Sequence, residues 1–229
     1  AEKAGYAVID APTIIATHLT ELIRRNASKI LSRQSVSAII EEIKKTNPVV
    51  VDEVTTGDHR FSYGEIEAVL KNLLEEQVSI RNMVVILETL GDYGKLTRDP
   101  WTLTEKVREA LGAQICQQYA DENKVLHVLN LSQSLAQKIL DHRADMPGKG
   151  PIVAFDPVDA RNYISTMSNA VAAVRERNYL PIILCPSEVR RLVKSSTELE
   201  MPGIIVLSIN EVMAASPNIK VESLGEING

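Results

Sequence analysis

The sequence is poor in cysteine and in aromatic residues. Its 229 residues include two cysteines, one tryptophan and two phenylalanines, and aromatic residues make up 4% of the chain. Two thiols without metal-type spacing do not suggest the disulfide framework of a small secreted domain, so we expect a reducing compartment. Few aromatic rings also leave few surfaces on which bases or sugars could stack. The composition therefore disfavours nucleic acid and carbohydrate as ligands.

The chain also lacks a surplus of positive charge and a long apolar run. Its 25 basic and 30 acidic residues leave a formal net charge of -5, so no global positive field attracts phosphates, and we expect no nucleic-acid partner. No stretch approaches the ~20 apolar residues that cross a bilayer, and the opening residues do not begin a signal peptide. We expect a soluble fragment. The absence of Met at position 1 predicts that it is excised or processed, with membrane segments upstream.

What the sequence does contain, in its first half, is helical periodicity with clear helix starts. Asp10 and Asp99 each precede a first turn that contains a proline, which is typical of an N-cap. Ser62 and Glu65 have the spacing of a capping box. Further helices are predicted from about Gln34, closed by Pro48, and from near Ser79 until Gly91 and Gly94. A short strand is predicted from Tyr6 to Ile9.

In the second half the periodicity changes to alternating strands and helices. The segment from Lys124 to Leu131 is rich in Val and Leu, as in a strand buried on both faces. Helices are predicted at 133 to 143 and 157 to 177. Strands are predicted at 180 to 185, 204 to 207 and 219 to 224, with a helix between the first two. The fold class predicted is α+β: a helical subdomain followed by an α/β subdomain with a small mixed sheet.

No convincing metal or cofactor site emerges from the histidines and glycines. The histidines have no second His, Cys or carboxylate at a metal-ligand spacing; they are His18, His59, His127 and His142. The glycines at 148 and 150 are not a phosphate-binding loop, because the spacing is wrong and Pro151 follows Gly150. We predict no metal and no cofactor, and interpret 146 to 150 as a surface connection.

The two thiols leave one catalytic alternative open. Cys185, at the end of a predicted strand, would become a nucleophile only if a base or a positive dipole lowered its pKa. His127 or His142 would have to supply that base, giving a small α/β enzyme of nucleotide or acyl-transfer chemistry. Since the sequence identifies no such base, and Cys116 is better interpreted as a small apolar-face residue, we predict no catalytic residue. The residues alone thus indicate a non-enzymatic interaction module.

Several segments resemble a known family. The motif GYAVID at 5 to 10, with Thr13 and ATHL at 16 to 19, is similar to a segment of the flagellar export-gate proteins, the FHIPEP family of FlhA type. A stronger resemblance lies in VSIRNMVVILETLGDYGKLTRD at 78 to 99 and LTEKVREALGAQI at 103 to 115. The sequence departs from the family's pattern at Ala11, where Pro is usual, and at Ala113, where Arg is common.

The resemblance implies docking rather than chemistry. The full-length protein would lie in the bacterial inner membrane, with this region in the cytoplasm as part of a ring of identical copies. It would bind flagellar export chaperones with their cargo, soluble export components such as the ATPase complex, and other export-gate membrane proteins. Its divisions would be a remnant of an upstream α/β subdomain at 1–27, a helical subdomain at 28–118 and an α/β subdomain at 119–229.

One site residue follows from the same resemblance. The position that matches Thr17 lies at the edge of the family's groove for chaperone and cargo, so Thr17 is a candidate partner-binding residue. The alternative is that Thr17 is a helix residue whose hydroxyl bonds back to a backbone carbonyl. A purely structural module that forms the ring is a third interpretation of the whole chain.

Overall fold

The computed structural model describes residues 10–146, 148 and 150–229. The chain forms two compact units, the first ending at Thr104 and the second beginning at Glu105. The first is helical where it is described, and the second combines helices with small sheets, which confirms the predicted fold class. The predicted subdomain limits at 27/28 and 118/119 stay predictions.

The first unit is a set of short helices around an aliphatic core. These are α1 (Ala11–Arg25), α2 (Ala27–Ile30), α3 (Arg33–Thr46), α4 (Pro48–Thr55), α5 (Tyr63–Glu75), α6 (Met83–Tyr93) and the start of α7 (Pro100–Ala110). The side chains with the least exposure recur at helical spacing: Val36, Ile40, Val51, Val54, Ile66, Val69, Leu70, Leu73, Ile86, Leu87 and Leu90. Burial of these stripes is the main force that holds α3 to α6 together.

The predicted helix starts are confirmed where a side chain satisfies free amides. Asp10 accepts from the amide of Thr13, and Asp99 Oδ2 accepts from the amide of Thr102 at 2.7 Å. The capping box is also present, with Ser62 and Glu65 each accepting a hydrogen bond from the other's backbone amide. These starts are local, so they were visible in the sequence.

Of two helix boundaries predicted for this unit, one is confirmed and one was wrong. Helix α3 ends at Thr46, just before Pro48, and Pro48 also opens α4, because a proline at the first helical position gives up an amide that has no partner there anyway. The helix predicted from near Ser79 begins at Met83, since Asn82 before it has non-helical backbone angles. Gly91 lies inside α6. The strand predicted at Tyr6–Ile9 lies outside the described residues.

The second unit is a parallel sheet with helices. After the end of α7 come α8 (Gly112–Tyr119), β1 (Val125–Leu131), α9 (Gln133–Asp141), β2 (Arg143–Met146), β3 (Gly150–Val153), α10 (Pro157–Glu176), β4 (Ile182–Cys185), α11 (Ser187–Thr197), β5 (Ile205–Ser208), α12 (Ile209–Ala215) and β6 (Lys220–Ile227). The sheet has the order β5-β4-β1-β6, and all three pairings are parallel, so it is small as predicted but not mixed. Strands β2 and β3 form a separate antiparallel pair.

The sheet's central strand β1 is buried as predicted. Leu126 and Val128 have no exposed surface, and Leu129 is 5% exposed. Leu129 belongs to a core that joins the sheet to α9, α10 and α11. Because parallel strands are covered by helices on both faces, a central strand rich in Val and Leu such as β1 is what this sheet requires.

The strands β2 and β3 and the helix α12 were not predicted. The two strands flank the stretch at 146 to 150 that was interpreted as a surface connection, and their residues are exposed or half-buried, without an alternating buried face. Helix α12 starts directly where β5 ends, with Ser208 and Glu211 forming a capping box. That box has the same Ser-x-x-Glu spacing as the one at Ser62, and this signal could have identified α12.

Gly112 provides a direct test of the packing between α8 and α12. A methyl group on Gly112 would meet the backbone oxygen of Glu211 and, at 2.9 Å, the Cβ of Ala214. Gly112→Ala should therefore lower the free energy of unfolding by about 1–3 kcal/mol, as overpacking of a fixed core does. Urea unfolding followed by circular dichroism measures the effect.

The matched control is Gly91→Ala in helix α6. A methyl group there would lie 3.6 Å from Val54, an ordinary contact, and should stabilise the helix by up to about 1 kcal/mol. Equal effects of the two substitutions would contradict the packing described for Gly112.

Candidate functional site

Helix α1 presents an apolar stripe that no part of the described chain covers. Asp10 starts the helix, and apolar residues then recur at helical spacing along one side. None of its residues is buried, and the stripe is formed by the exposed residues Ile15, Leu19, Leu22 and Ile23. Ile14 is also exposed, but it lies outside the stripe, about 60° around the helix from Thr17. Such a stripe is typical of a surface that packs against another protein element.

Thr17 lies on the opposite side of α1 from this stripe. At about 100° per residue, Thr17 is turned some 160° away from both Ile15 and Leu19. Its side chain is exposed, and Oγ1 donates to the backbone oxygen of Thr13 at 2.8 Å. Thr20 makes the same kind of bond to Ala16, also at 2.8 Å. Thr17 therefore stays accessible when another element covers the stripe.

Cys185 lies in the buried core of the second unit. It is 1% exposed, and its Sγ donates to the backbone oxygen of Leu207 at 3.7 Å. Burial raises the pKa of Cys185 far above that of an ordinary thiol, although the Arg190 guanidinium acts in the opposite direction. This environment favours the neutral thiol, whereas a nucleophile needs the thiolate.

The histidines proposed as bases for Cys185 have other partners. His142 Nδ1 lies 2.8 Å from the backbone oxygen of Lys138, and its ring packs on Phe155. His127 Nε2 is 3.2 Å from Asp121 Oδ2, and its Nδ1 is 3.4 Å from Glu222 Oε2. The structure thus places both histidines with groups other than the Cys185 thiol.

Cys116 is buried in α8, as its sequence interpretation proposed. Its Sγ donates to the backbone oxygen of Glu211 at 3.6 Å. Burial raises the pKa of Cys116 to about 12, and the nearby Glu211 carboxylate acts in the same direction. The thiol therefore behaves as a small apolar group that packs α8 on α12.

Sequence reasoning missed two ion pairs in the interior of the second unit. Nε and Nη2 of Arg190, which has no exposed surface, donate to the two carboxylate oxygens of Glu105. Nη2 of Arg108 lies 2.7 Å from Glu211 Oε1, and both side chains are almost fully buried. The charges of all four residues act on Cys185, so both pairs lie near that thiol.

One signal for these pairs was present in the sequence. Arg190 stands next to Val189 and close to Val193, which are apolar residues of the helix predicted between two strands. A charged residue at such a position needs a partner, because an unpaired buried charge is strongly unfavourable. The identity of the partner, Glu105, could not be derived, since it lies 85 residues earlier in the chain.

A surface groove of about 400 Å³ lies beside α8 and the turn before β6. It is lined by Ala113, Gln117, Ala120, Asp121, Lys124, Ala215, Asn218 and Ile219. The carboxylate of Asp121 accepts a hydrogen bond from the backbone amide of Val125, and this bond is the main reason that the pKa of Asp121 is lowered. The groove lining thus contains no thiol or imidazole that could act as nucleophile or base.

Two features are absent from the described ranges, 10–146 with 148 and 150–229. No group of three or more His, Cys, Asp or Glu residues could hold a metal ion there. In the same ranges no helix has both the length and the apolar character needed to cross a membrane.

Comparison with known proteins identifies one family along the chain. The model of the FHIPEP family matches residues 1–216. The flagellar biosynthesis protein FlhA of Borreliella burgdorferi is 41% identical over 224 residues, which is 98% of this chain and 31% of that protein. FlhA of Bacillus subtilis is 38% identical over 228 residues, covering 100% of this chain and 33% of the relative. The chain therefore spans about a third of the length of these relatives.

Solved structures share the same fold. The CdsV protein of Chlamydia pneumoniae superposes with a TM-score of 0.86 at 27% identity, over 99% of this chain and 63% of that chain. CdsV in complex with CdsO superposes with a TM-score of 0.82 at 26% identity, over 99% of this chain and 65% of that chain. The nonameric SctV-C of EPEC superposes with a TM-score of 0.79 at 24% identity, over 93% of this chain and 62% of that chain. This likeness supports the fold alone.

The buried thiols lead to a test of the catalytic alternative. Because burial raises the pKa of both cysteines, native protein at pH 8 should contain almost no thiolate and should react with a thiol reagent very slowly. Titration with DTNB should detect both thiols only after unfolding in guanidinium.

The Cys116→Ala and Cys185→Ala variants assign any signal to one thiol. Rapid labelling of Cys185 in the native protein at or below pH 8 would contradict the buried environment described here and revive the enzymatic alternative.

Proposed function

The chain belongs to the FHIPEP family, and on that premise we propose that it is the cytoplasmic docking part of the flagellar type III protein export gate. In this role it binds export chaperones with their cargo, together with soluble export components such as the ATPase complex. It then passes cargo to the membrane pore formed with other export-gate membrane proteins. The observation that carries the proposal is the match to FlhA proteins along nearly the whole chain.

Support for protein binding comes from a structural relative. CdsV has been solved in complex with CdsO, and CdsV is 26% identical to this chain in that structure. We propose that surfaces of this chain bind soluble export proteins. The 119–229 part, which contains the parallel sheet, is assigned this role.

Ring formation is proposed on similar grounds. SctV-C of EPEC, which shares this fold, is nonameric. A closed ring of identical copies needs two different, complementary faces on each copy. We assign ring contacts to the helical part at 28–118, and we assign 1–27 to the end of an upstream α/β subdomain. The remaining two thirds of the full-length protein would include the segments in the bacterial inner membrane.

The exposed position of Thr17 supports a role at the edge of the chaperone-binding groove. The apolar stripe of α1 is the side that an upstream subdomain would cover, because it offers contiguous aliphatic surface. Thr17 lies on the other side of the helix, where it would face a partner. Its bond to Thr13 does not prevent contact, since a hydroxyl oxygen that donates still has lone pairs to accept.

No observation favours the enzymatic alternative. Cys185 is buried as a neutral thiol, and its hydrogen-bond acceptor is the backbone oxygen of Leu207. The purely structural alternative is separable by experiment. Substitutions on exposed positions of α5 or α6 that abolish assembly without reducing chaperone binding would favour it.

The test uses purified flagellar chaperones with bound cargo and the full cytoplasmic region of the protein. Thr17→Ala should weaken chaperone binding measured by biolayer interferometry by about tenfold, the effect of losing roughly 1.4 kcal/mol at an interface. Thr20→Ala is the matched control, because Thr20 is also exposed and its hydroxyl makes the same kind of backbone bond on the same helix.

Equal losses for both variants would indicate a helix effect and remove Thr17 from the site. Absence of any binding by the unsubstituted cytoplasmic region would remove the proposed function itself.

A further inference from the structure

Strand β6 forms an open edge of the parallel sheet. It lies last in the order β5-β4-β1-β6, and no described strand pairs with its outer side. It is eight residues long, whereas the other edge strand, β5, has four. Six of its residues are exposed: Lys220, Val221, Glu222, Ser223, Gly225 and Glu226. The edge is therefore accessible as well as unpaired.

The hydrogen bonds to β1 show which backbone groups face outward. The amide of Lys220 donates to the backbone oxygen of Lys124, the residue just before β1, at 2.9 Å, and Lys220 is paired with Val125. The backbone groups of Lys220 therefore point toward β1. Since successive residues of a strand direct their backbone groups to opposite sides, Val221 and Ser223 direct theirs away from β1. The register shift in this pairing lies between Val128 and Leu129 of β1, so the segment 220 to 223 is regular.

A row of outward N–H and C=O groups selects one chemical class of partner. Only another extended polypeptide backbone presents donors and acceptors at the matching repeat, which is how strand addition works. A helix has already used its backbone groups, and a lipid or nucleotide has no such repeat.

The side chains of β6 define which extended segment fits best. Glu222 is 62% exposed, and Asp121 lies on the same side, because both carboxylates approach the ring of His127. On the other face of the strand Val221 is 42% exposed. A basic residue next to Glu222 and apolar residues next to Val221 would complement these positions as cross-strand neighbours. The segment should thus alternate basic with apolar or β-branched residues.

We propose that the outer edge of β6 is a docking site for an extended segment of a partner protein, in which basic residues alternate with apolar ones and whose backbone adds a fifth strand to the sheet. This site lies in the 119–229 part and is independent of Thr17. It goes beyond the proposed function, because it specifies a binding mode that does not require a folded chaperone.

The probe is a capped octapeptide in which lysine alternates with valine and threonine, titrated into the whole chain. Amide shifts in NMR spectra should be largest at Val221 and Ser223, and calorimetry should give a dissociation constant. Val221→Pro removes an outward amide while leaving the bonds to β1, a position at which an edge strand tolerates proline. This substitution should weaken peptide binding by about tenfold, because the backbone hydrogen bond from residue 221 to the peptide is lost and the proline ring occupies the position of the amide hydrogen.

Two controls make the test specific. Val221→Thr keeps the amide and the branched side chain, so it should bind like the unsubstituted chain. The same peptide methylated on alternate backbone nitrogens should not bind, and this arm needs no protein variant, so it decides the outcome even if Val221→Pro fails to fold.

Failure of the octapeptide to bind, or equal binding of its methylated form, would overturn the proposal. So would full binding by a folded Val221→Pro variant. Self-association of the chain through β6, detected by sedimentation and abolished by Val221→Pro, without peptide binding would assign the edge to a second copy instead. Each of these results leaves chaperone binding by the full cytoplasmic region unaffected.

Discussion

Two ion pairs, in which three of the four side chains are buried and Glu105 is half-buried, are the constraint on which the second unit depends. Arg190 and Glu105 connect α11 to α7, and Arg108 and Glu211 connect α7 to α12. Removing charges from water is costly, so each pair is stable only while both members remain in contact. Because the Glu211 carboxylate also accepts from the amide of Ser208, the end of β5 is held by the same interactions. These helices are therefore limited to one arrangement on the sheet.

The consequence for function is that the charged groups and thiols described in the interior are held in unreactive states. The buried cations are matched by carboxylates, and the two thiols nearby are held in the neutral form. What remains available is surface: the apolar stripe and the Thr17 side of α1, and the backbone edge of β6. A rigid frame with accessible edges suits a protein that binds other proteins, because little ordering entropy is lost when a partner docks.

The parts of this fold that the sequence predicted are those decided locally. Asp10, Asp99 and the box of Ser62 with Glu65 start helices through contacts within one turn, and the Val and Leu run of β1 reflects burial on both faces. The hairpin of β2 and β3 escaped prediction because its strands are short and carry no alternating stripe. The partners of Arg190 and Arg108 also escaped, since tertiary folding brings together residues that are far apart in the chain.

The candidate site divides in the same way. Thr17 was proposed from the family resemblance, and its chemistry as an exposed helical threonine would not have singled it out from Thr20. The edge at β6 needed the strand order, which depends on parallel pairings between distant segments. Partner surfaces made of ordinary exposed residues leave a weaker trace in one sequence than a cluster of catalytic groups does.

We propose that partners bind to the surface of the chain and that the sheet of the second unit does not open when they do. Amide hydrogen exchange, measured by mass spectrometry on the full cytoplasmic region with and without a chaperone–cargo complex, is the decisive experiment. We expect slow exchange in β1, β4 and β5 that the partner does not change, with new protection confined to exposed elements such as α1. Faster exchange in those three strands on binding, or protection that appears only inside the core, would contradict it.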